Sequence, residues 1–301
     1  MKRLRKHFEQ RQPRMPMLIA LLLVCAAASM VLAVGLGPVS VSPLCTIRIL
    51  LSQIPGLGRL IPQTWEQLDW NIVMGLRLSR VCLGMVVGAS LAVCGVAMQA
   101  LVRNNLADPF LLGVSSGAAA FATLGMLFGV FAFLGVYSLS ISAFIGSAIT
   151  ILLVYGISRV RGRINITQLL LTGVAVSMIM DGLTSIIKLS APNALGLHNA
   201  EFWMSGSLAG ARWAYLKLPL IVLLGCMAFM MMNYRGLNLL LLGENYARTM
   251  GLNVQRTRTL LFLSTVLLAG TVTAFCGPVG FIGLAVPHLA RMLFASADHR
   301  I

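Results

Sequence analysis

The stretch Arg77–Gly117, RLSRVCLGMVVGASLAVCGVAMQALVRNNLADPFLLGVSSG, decides the fold. Arg77 and Arg80 stand three residues apart, so on a helix they share one face. Behind them come 22 residues, Val81 to Val102, without a charge. A run of that length crosses a bilayer as a helix. Inside it Gly84, Gly88 and Ala92 recur at every fourth position, the small-residue stripe that lets two membrane helices approach backbone to backbone. The run breaks at RNNLADP, where Asn104, Asn105, Asp108 and Pro109 suit a tight polar turn. Gly113 and Gly117 then repeat the small-residue spacing as the chain turns back.

Composition extends this reading to the whole chain. Of 301 residues, 58% are hydrophobic and only 10% charged, too little polar surface to coat a soluble globule of that size. The segment Pro109–Ser158 runs for 50 residues without Asp, Glu, Lys or Arg, room for two spans. A polytopic all-α membrane helix bundle follows. The net charge of +15 does not point to nucleic acid, because Lys and Arg lie in short clusters between apolar spans without interleaved aromatics. Those clusters report topology instead. Lys2, Arg3, Arg5, Lys6, Arg11 and Arg14 precede the first span, and Arg159, Arg161 and Arg163 follow the fourth. Both groups therefore belong on the cytoplasmic side, with residues 1–14 as a basic tail.

Six cysteines, mostly inside apolar runs and without a CxxC pair, read as small buried hydrophobes, and no cluster suggests a metal site or a cofactor. The methionines at 227, 230, 231 and 232 have no His or Cys at ligand spacing and read as filler. A basic leader ahead of Met17–Val34 also fits a signal peptide, but an uncleaved first span is the favoured reading.

Along the chain, a first span at 15–34 leads to a Pro- and Gly-rich outer connection carrying Trp65 and Trp70, indoles suited to the membrane interface. Further spans are expected near 111–131, 139–160, 166–189, 218–233 and 259–276. Asp181 lies inside the fifth, where a carboxylate calls for water or a partner. Lys188, two turns away on the same face, is one candidate partner; a charge near the outer end of the span is the plainer alternative. The segment Phe281–Phe294, only 14 residues with an internal proline, is short for a crossing and reads as a broken helix, with PFLLGVSSG as its counterpart in the first half. A polar island, GENYARTMGLNVQRTR at 243–258, interrupts the apolar text, and Arg248, Arg256 and Arg258 place it inside. No GxxxxGK[ST] loop occurs, so the chain does not hydrolyse ATP by that device.

These words closely resemble the permease subunits of ABC importers for ferric siderophores, haem and cobalamin. The match stands at Gly95, Met98, Gln99, Asn104, Leu106, Ala107, Pro109 and Leu111–Ala118, and again in GFIGLAVPHLAR. Ser79 and Asn105 replace two prolines of the family's wording. The resemblance implies an inverted-repeat fold of ten helices, of which about eight are present here, so the last two would be missing. It further implies ABC ATPase subunits inside, an extracytoplasmic substrate-binding protein outside, and a second permease copy or paralogue, all in a bacterial inner membrane. By the same resemblance, Arg77 and Arg80 would meet the binding protein. Gly243, Glu244, Ala247, Arg248 and Gly251 would form the loop that docks on the ATPase. Asn165, Ile166 and Thr167 would form an inner gate, with Asp181 further along the pathway. Chelated iron would be the cargo, with haem or cobalamin as relatives of it. A nucleotide-independent secondary transporter or channel is the alternative.

Overall fold

A computed structural model describes residues 14–294, apart from 57, 59, 60, 161 and 162. Residues 1–13 of the predicted basic tail lie outside that range. The described residues form twelve α-helices: α1 (Arg14–Gly35), α2 (Pro43–Ser52), α3 (Gln67–Val102), α4 (Val114–Phe128), α5 (Ser138–Ser158), α6 (Ile166–Leu189), α7 (Ala194–Met204), α8 (Trp213–Met232), α9 (Tyr234–Leu241), α10 (Glu244–Thr249), α11 (Val254–Cys276) and α12 (Ile282–Phe294). Six of them, α1, α3, α5, α6, α8 and α11, are long and apolar enough to cross a membrane. Helix α12 is the short apolar segment anticipated as a broken span, whereas α4, expected as a full span near 111–131, has only 15 residues because Pro109–Leu112 winds as a separate 3₁₀ turn ahead of it. Between α5 and α6 a two-residue hairpin pairs β1 (Arg159–Val160) with β2 (Arg163–Ile164). The seventh predicted span starts five residues early, so 254–258 is helix and not loop.

The chain divides into two compact units, residues 1–82 and 83–301. In the first, Ser42 caps α2 by accepting a hydrogen bond from the Cys45 amide at 3.2 Å, with Pro43 opening the helix where its missing N–H costs nothing. Val34, Val41, Ile49 and Val73 make a small core beside Trp65 and Trp70. The start of α3 is unusual. Asn71–Leu78 winds as a π-helix before α-helical geometry resumes at Ser79.

In the second unit the apolar remainder of α3 is packed among neighbours, with Leu91, Cys94, Ala97 and Met98 fully buried. Helices α4 and α5 meet where Gly117 faces Gly146 and Thr150; a methyl group on either glycine would overlap the other helix. The main core joins Met98, Leu101, Leu112, Leu169, Phe262 and Leu268. Tyr155 stacks on Phe262 at 5.4 Å. Several hydroxyls inside the spans are satisfied within their own helices, whereas those of Ser90 and Thr150 are buried without a partner among the described residues. Thr184, Thr265 and Thr273 each donate to the carbonyl four residues back at 2.8 Å, which removes the cost of placing them away from water.

Candidate functional site

The two arginines ahead of the long span do not share a face. A π-helix carries more residues per turn than an α-helix, so the winding through 71–78 separates positions that an α-helix would align. Arg80 is exposed, whereas Arg77 is 8% exposed and turned inward. Its Nη1 donates to the carbonyl oxygens of Val34 at 3.1 Å and Gly35 at 3.0 Å, and its Nη2 to that of Val39. The carbonyls of Val34 and Gly35 are ones that the end of α1 leaves without intrahelical donors, at the negative end of its dipole, and that of Val39 lies in the connection just after it. Gly37 makes room for the guanidinium: a Cβ there would lie within 2.8 Å of its carbon and nitrogens.

The elbow after α3 is built from its own polar side chains. Asn104 accepts from the Leu106 amide at 3.0 Å, and Asp108 from the Phe110 amide at 2.7 Å, starting a short 3₁₀ turn over Pro109–Leu112. Gly113 closes it at φ +80°, a conformation that favours glycine. Helix α12 returns to the same region. Gly95 of α3 is the point of closest approach, since a Cβ there would overlap the Gly283 carbonyl oxygen and press on Pro287. Gln99 fastens the crossing by accepting a hydrogen bond from Arg291 and donating to the Leu284 carbonyl at 3.5 Å. Of the predicted stripe, Gly84 faces Leu208 at 3.2 Å from a notional Cβ, Ala92 is half-buried, and Gly88 has nothing within 4 Å. The tight approach on α3 thus lies one step beyond the stripe. Gly95 follows Ala92 at i+3, a spacing the regular four-residue repeat passes over.

The polar island folds as a clamp. Gly243, at φ +113°, ends α9 and admits α10; Gly251, at φ +80°, turns the chain toward α11, whose first turn is capped by Asn253 accepting from the Arg256 amide at 3.0 Å. After the Gly251 turn the chain enters the long helix α11 directly, and the two short helices, α9 and α10, flank Gly243. Glu244 bonds Arg248 one turn on and Arg258 of α11 at 2.9 Å. Partial burial pushes the Glu244 carboxyl upward, but Arg258 and then Arg248 outweigh it and hold the group below the usual glutamate value. Arg258 is itself buried. Ala247 is fully buried among Leu240, Val254 and Leu261, so α10 is pinned there and leaves Tyr246 and Arg248 exposed, with Met250 exposed just past its end. Sequence reasoning found the loop but not Arg258, which lies fourteen positions from Glu244 with no periodicity to join them.

At the start of α6, Asn165 caps the helix by accepting from the Gln168 amide at 3.2 Å; Ile166 is half-buried and Thr167 exposed. Asp181 lies on the exposed side of α6, away from the packed positions Val176, Met180, Thr184 and Ile187. Lys188 is not its partner, because that ammonium pairs with Glu201 of α7 at 3.0 Å. Among the described residues Asp181 makes no ion pair. A carboxylate facing lipid at that depth would cost about 2.5–3.5 kcal/mol. No group of three His, Cys, Asp or Glu converges on a metal-sized site among the described residues.

The sequence profile of the FecCD transport family matches residues 20–301. The chain belongs to the FecCD transport family. Among its relatives, the hemin transport system permease protein HmuU of Yersinia pestis is 40% identical over 233 residues, 77% of this chain and 69% of that one. The cobalamin import system permease protein BtuC of Halobacterium salinarum is 36% identical over 230 residues, 76% of this chain and 61% of that one. The ferric enterobactin transport system permease protein FepD of Escherichia coli K12 is 35% identical over 286 residues, 95% and 80% of the two chains. A solved metal-chelate type ABC transporter in an inward-facing conformation superposes with TM-score 0.79 at 28% identity, over 95% of this chain and 83% of that one. This FecCD-family chain is accordingly a multi-pass membrane permease of the ABC importer class.

Proposed function

We propose that the chain carries a chelated iron complex, or a related metal chelate such as haem or cobalamin, into the cytoplasm, driven by ATP hydrolysis on separate ATPase subunits. The observation that carries this reading is the clamp at 243–258. Its inner side is fixed to the bundle through Ala247 and the Glu244–Arg258 pair, while its outer side offers an aromatic, a cation and a thioether to a partner. A rigid lever of this kind passes movement of a bound motor to α11. In this scheme Gly243, Glu244, Ala247, Arg248 and Gly251 form the coupling loop, and Asn165, Ile166 and Thr167 with Asp181 face the pathway. Arg80 meets an extracytoplasmic binding protein, where an exposed charge steers and orients more than it holds. Arg77 supports that contact from within by holding the end of α1. A second permease copy or paralogue completes the pathway, in a bacterial inner membrane with residues 1–14 inside.

The test is uptake into vesicles holding the permease, its ATPase and its binding protein. Labelled ferric siderophore, haem or cobalamin should accumulate only with ATP, and an ATPase-dead partner should abolish accumulation. Accumulation that persists without nucleotide would establish the secondary-transporter alternative instead.

A further inference from the structure

Among the described residues Asp181 is the one acidic residue in the middle of a span, and its placement bears on cargo. Helix α6 has 24 residues, so at 1.5 Å per residue it is about 36 Å long, and Asp181 lies about 5 Å past its midpoint. With a hydrocarbon core about 30 Å thick, no ordinary seating of the helix brings that carboxylate to the interface. Its neighbours one and two turns away on the same side, Val174, Met178 and Ser185, are exposed as well. The nearest cation along the helix, Lys188, is held by Glu201. An uncompensated carboxylate on an outward-facing stripe needs water, and water at mid-depth means a path.

We infer that Asp181 is a charge filter in that path, favouring chelates that carry positive charge, such as a ferric tris-hydroxamate with a pendant ammonium, over polyanionic ones such as a ferric tris-catecholate. The inference rests on the permease reading above. Carboxylates lining a narrow aqueous passage select cations because little water remains to screen them. A second copy of the chain would bring a second Asp181 and deepen the effect.

A probe of the path itself tests this without knowing the cargo. In the complete importer in vesicles, with the six native cysteines replaced, Ser185→Cys places a thiol one turn from Asp181. A cationic methanethiosulfonate should modify it about tenfold faster than an anionic one, relative to their rates with a free thiol. Adding Asp181→Asn should bring the two rates together. Equal rates with Asp181 present would overturn the filter, and so would a ratio that Asp181→Asn leaves unchanged. Modification only by a lipid-soluble maleimide would overturn it too, by placing the stripe in lipid. ATP-driven uptake by the Ser185→Cys importer, measured in the same vesicles, reads the permease assignment separately.

Discussion

Arg77 shows how a residue type can be read correctly and its direction missed. A guanidinium ahead of a span is visible in the sequence, but the π-helical winding that turns it inward is not, because nothing in NIVMGLRL breaks a helical pattern. Replacing it should therefore harm the protein more than the docking. Arg77→Gln leaves buried carbonyls at the end of α1 without donors, at about 1–3 kcal/mol. A lowered thermal midpoint in detergent is expected, whereas Arg80→Glu should spare the midpoint and weaken binding-protein affinity. Equal midpoints for Arg77→Gln and the parent would remove the structural role. Glu244 supplies a second test. Its carboxyl titrates below the ordinary value of 4.5, so its stabilising contribution is complete above that value and is lost as pH falls through the depressed one. Midpoints measured from about pH 7 down to about pH 3 should show an acid-side loss that is smaller in Glu244→Gln. Parallel curves would mean that the clamp carries no such energy.

For the helices, existence and type were legible and contacts were not. The charge-free runs marked the spans, and the polar islands marked the turns between them. Sequence placed the start of α11 five residues late because Gln255, Arg256 and Arg258 look like loop; the helix end keeps Arg256 on its wet side and turns Arg258 inward to meet Glu244. The four-residue repeat in α3 pointed to Gly88, where the structure leaves open space, and passed over Gly95, where α12 presses in. Substitution separates the two positions. Gly95→Leu should drive α3 and α12 apart, costing about 1–3 kcal/mol or more and lowering the yield of folded protein. Gly88→Leu should leave the isolated chain's stability unchanged. If Gly88→Leu instead impairs only the assembled importer, the stripe packs against a second copy; if Gly95→Leu is silent, the crossing is looser than described.

Across the whole molecule, fold and family follow from the same residues, Gly95 to Ala118 and Gly280 to Arg291, since the wording that resembles the importer permeases also builds the two elbows that meet at α3. What sequence alone could not supply was the mechanical link. Glu244 and Arg258 are distant in the chain, and only the fold brings them together to fasten α10 to α11. Transport driven by ATP requires that lever to be gripped by an ATPase. The most direct measurement is site-specific cross-linking in native membranes, with Met250→Cys or Tyr246→Cys in a cysteine-free permease. Either position should cross-link to the ATPase subunit, with a yield that changes when ATP is bound, and neither should react with an impermeant thiol reagent added outside. Labelling from outside, or no ATPase adduct at either position, would contradict it.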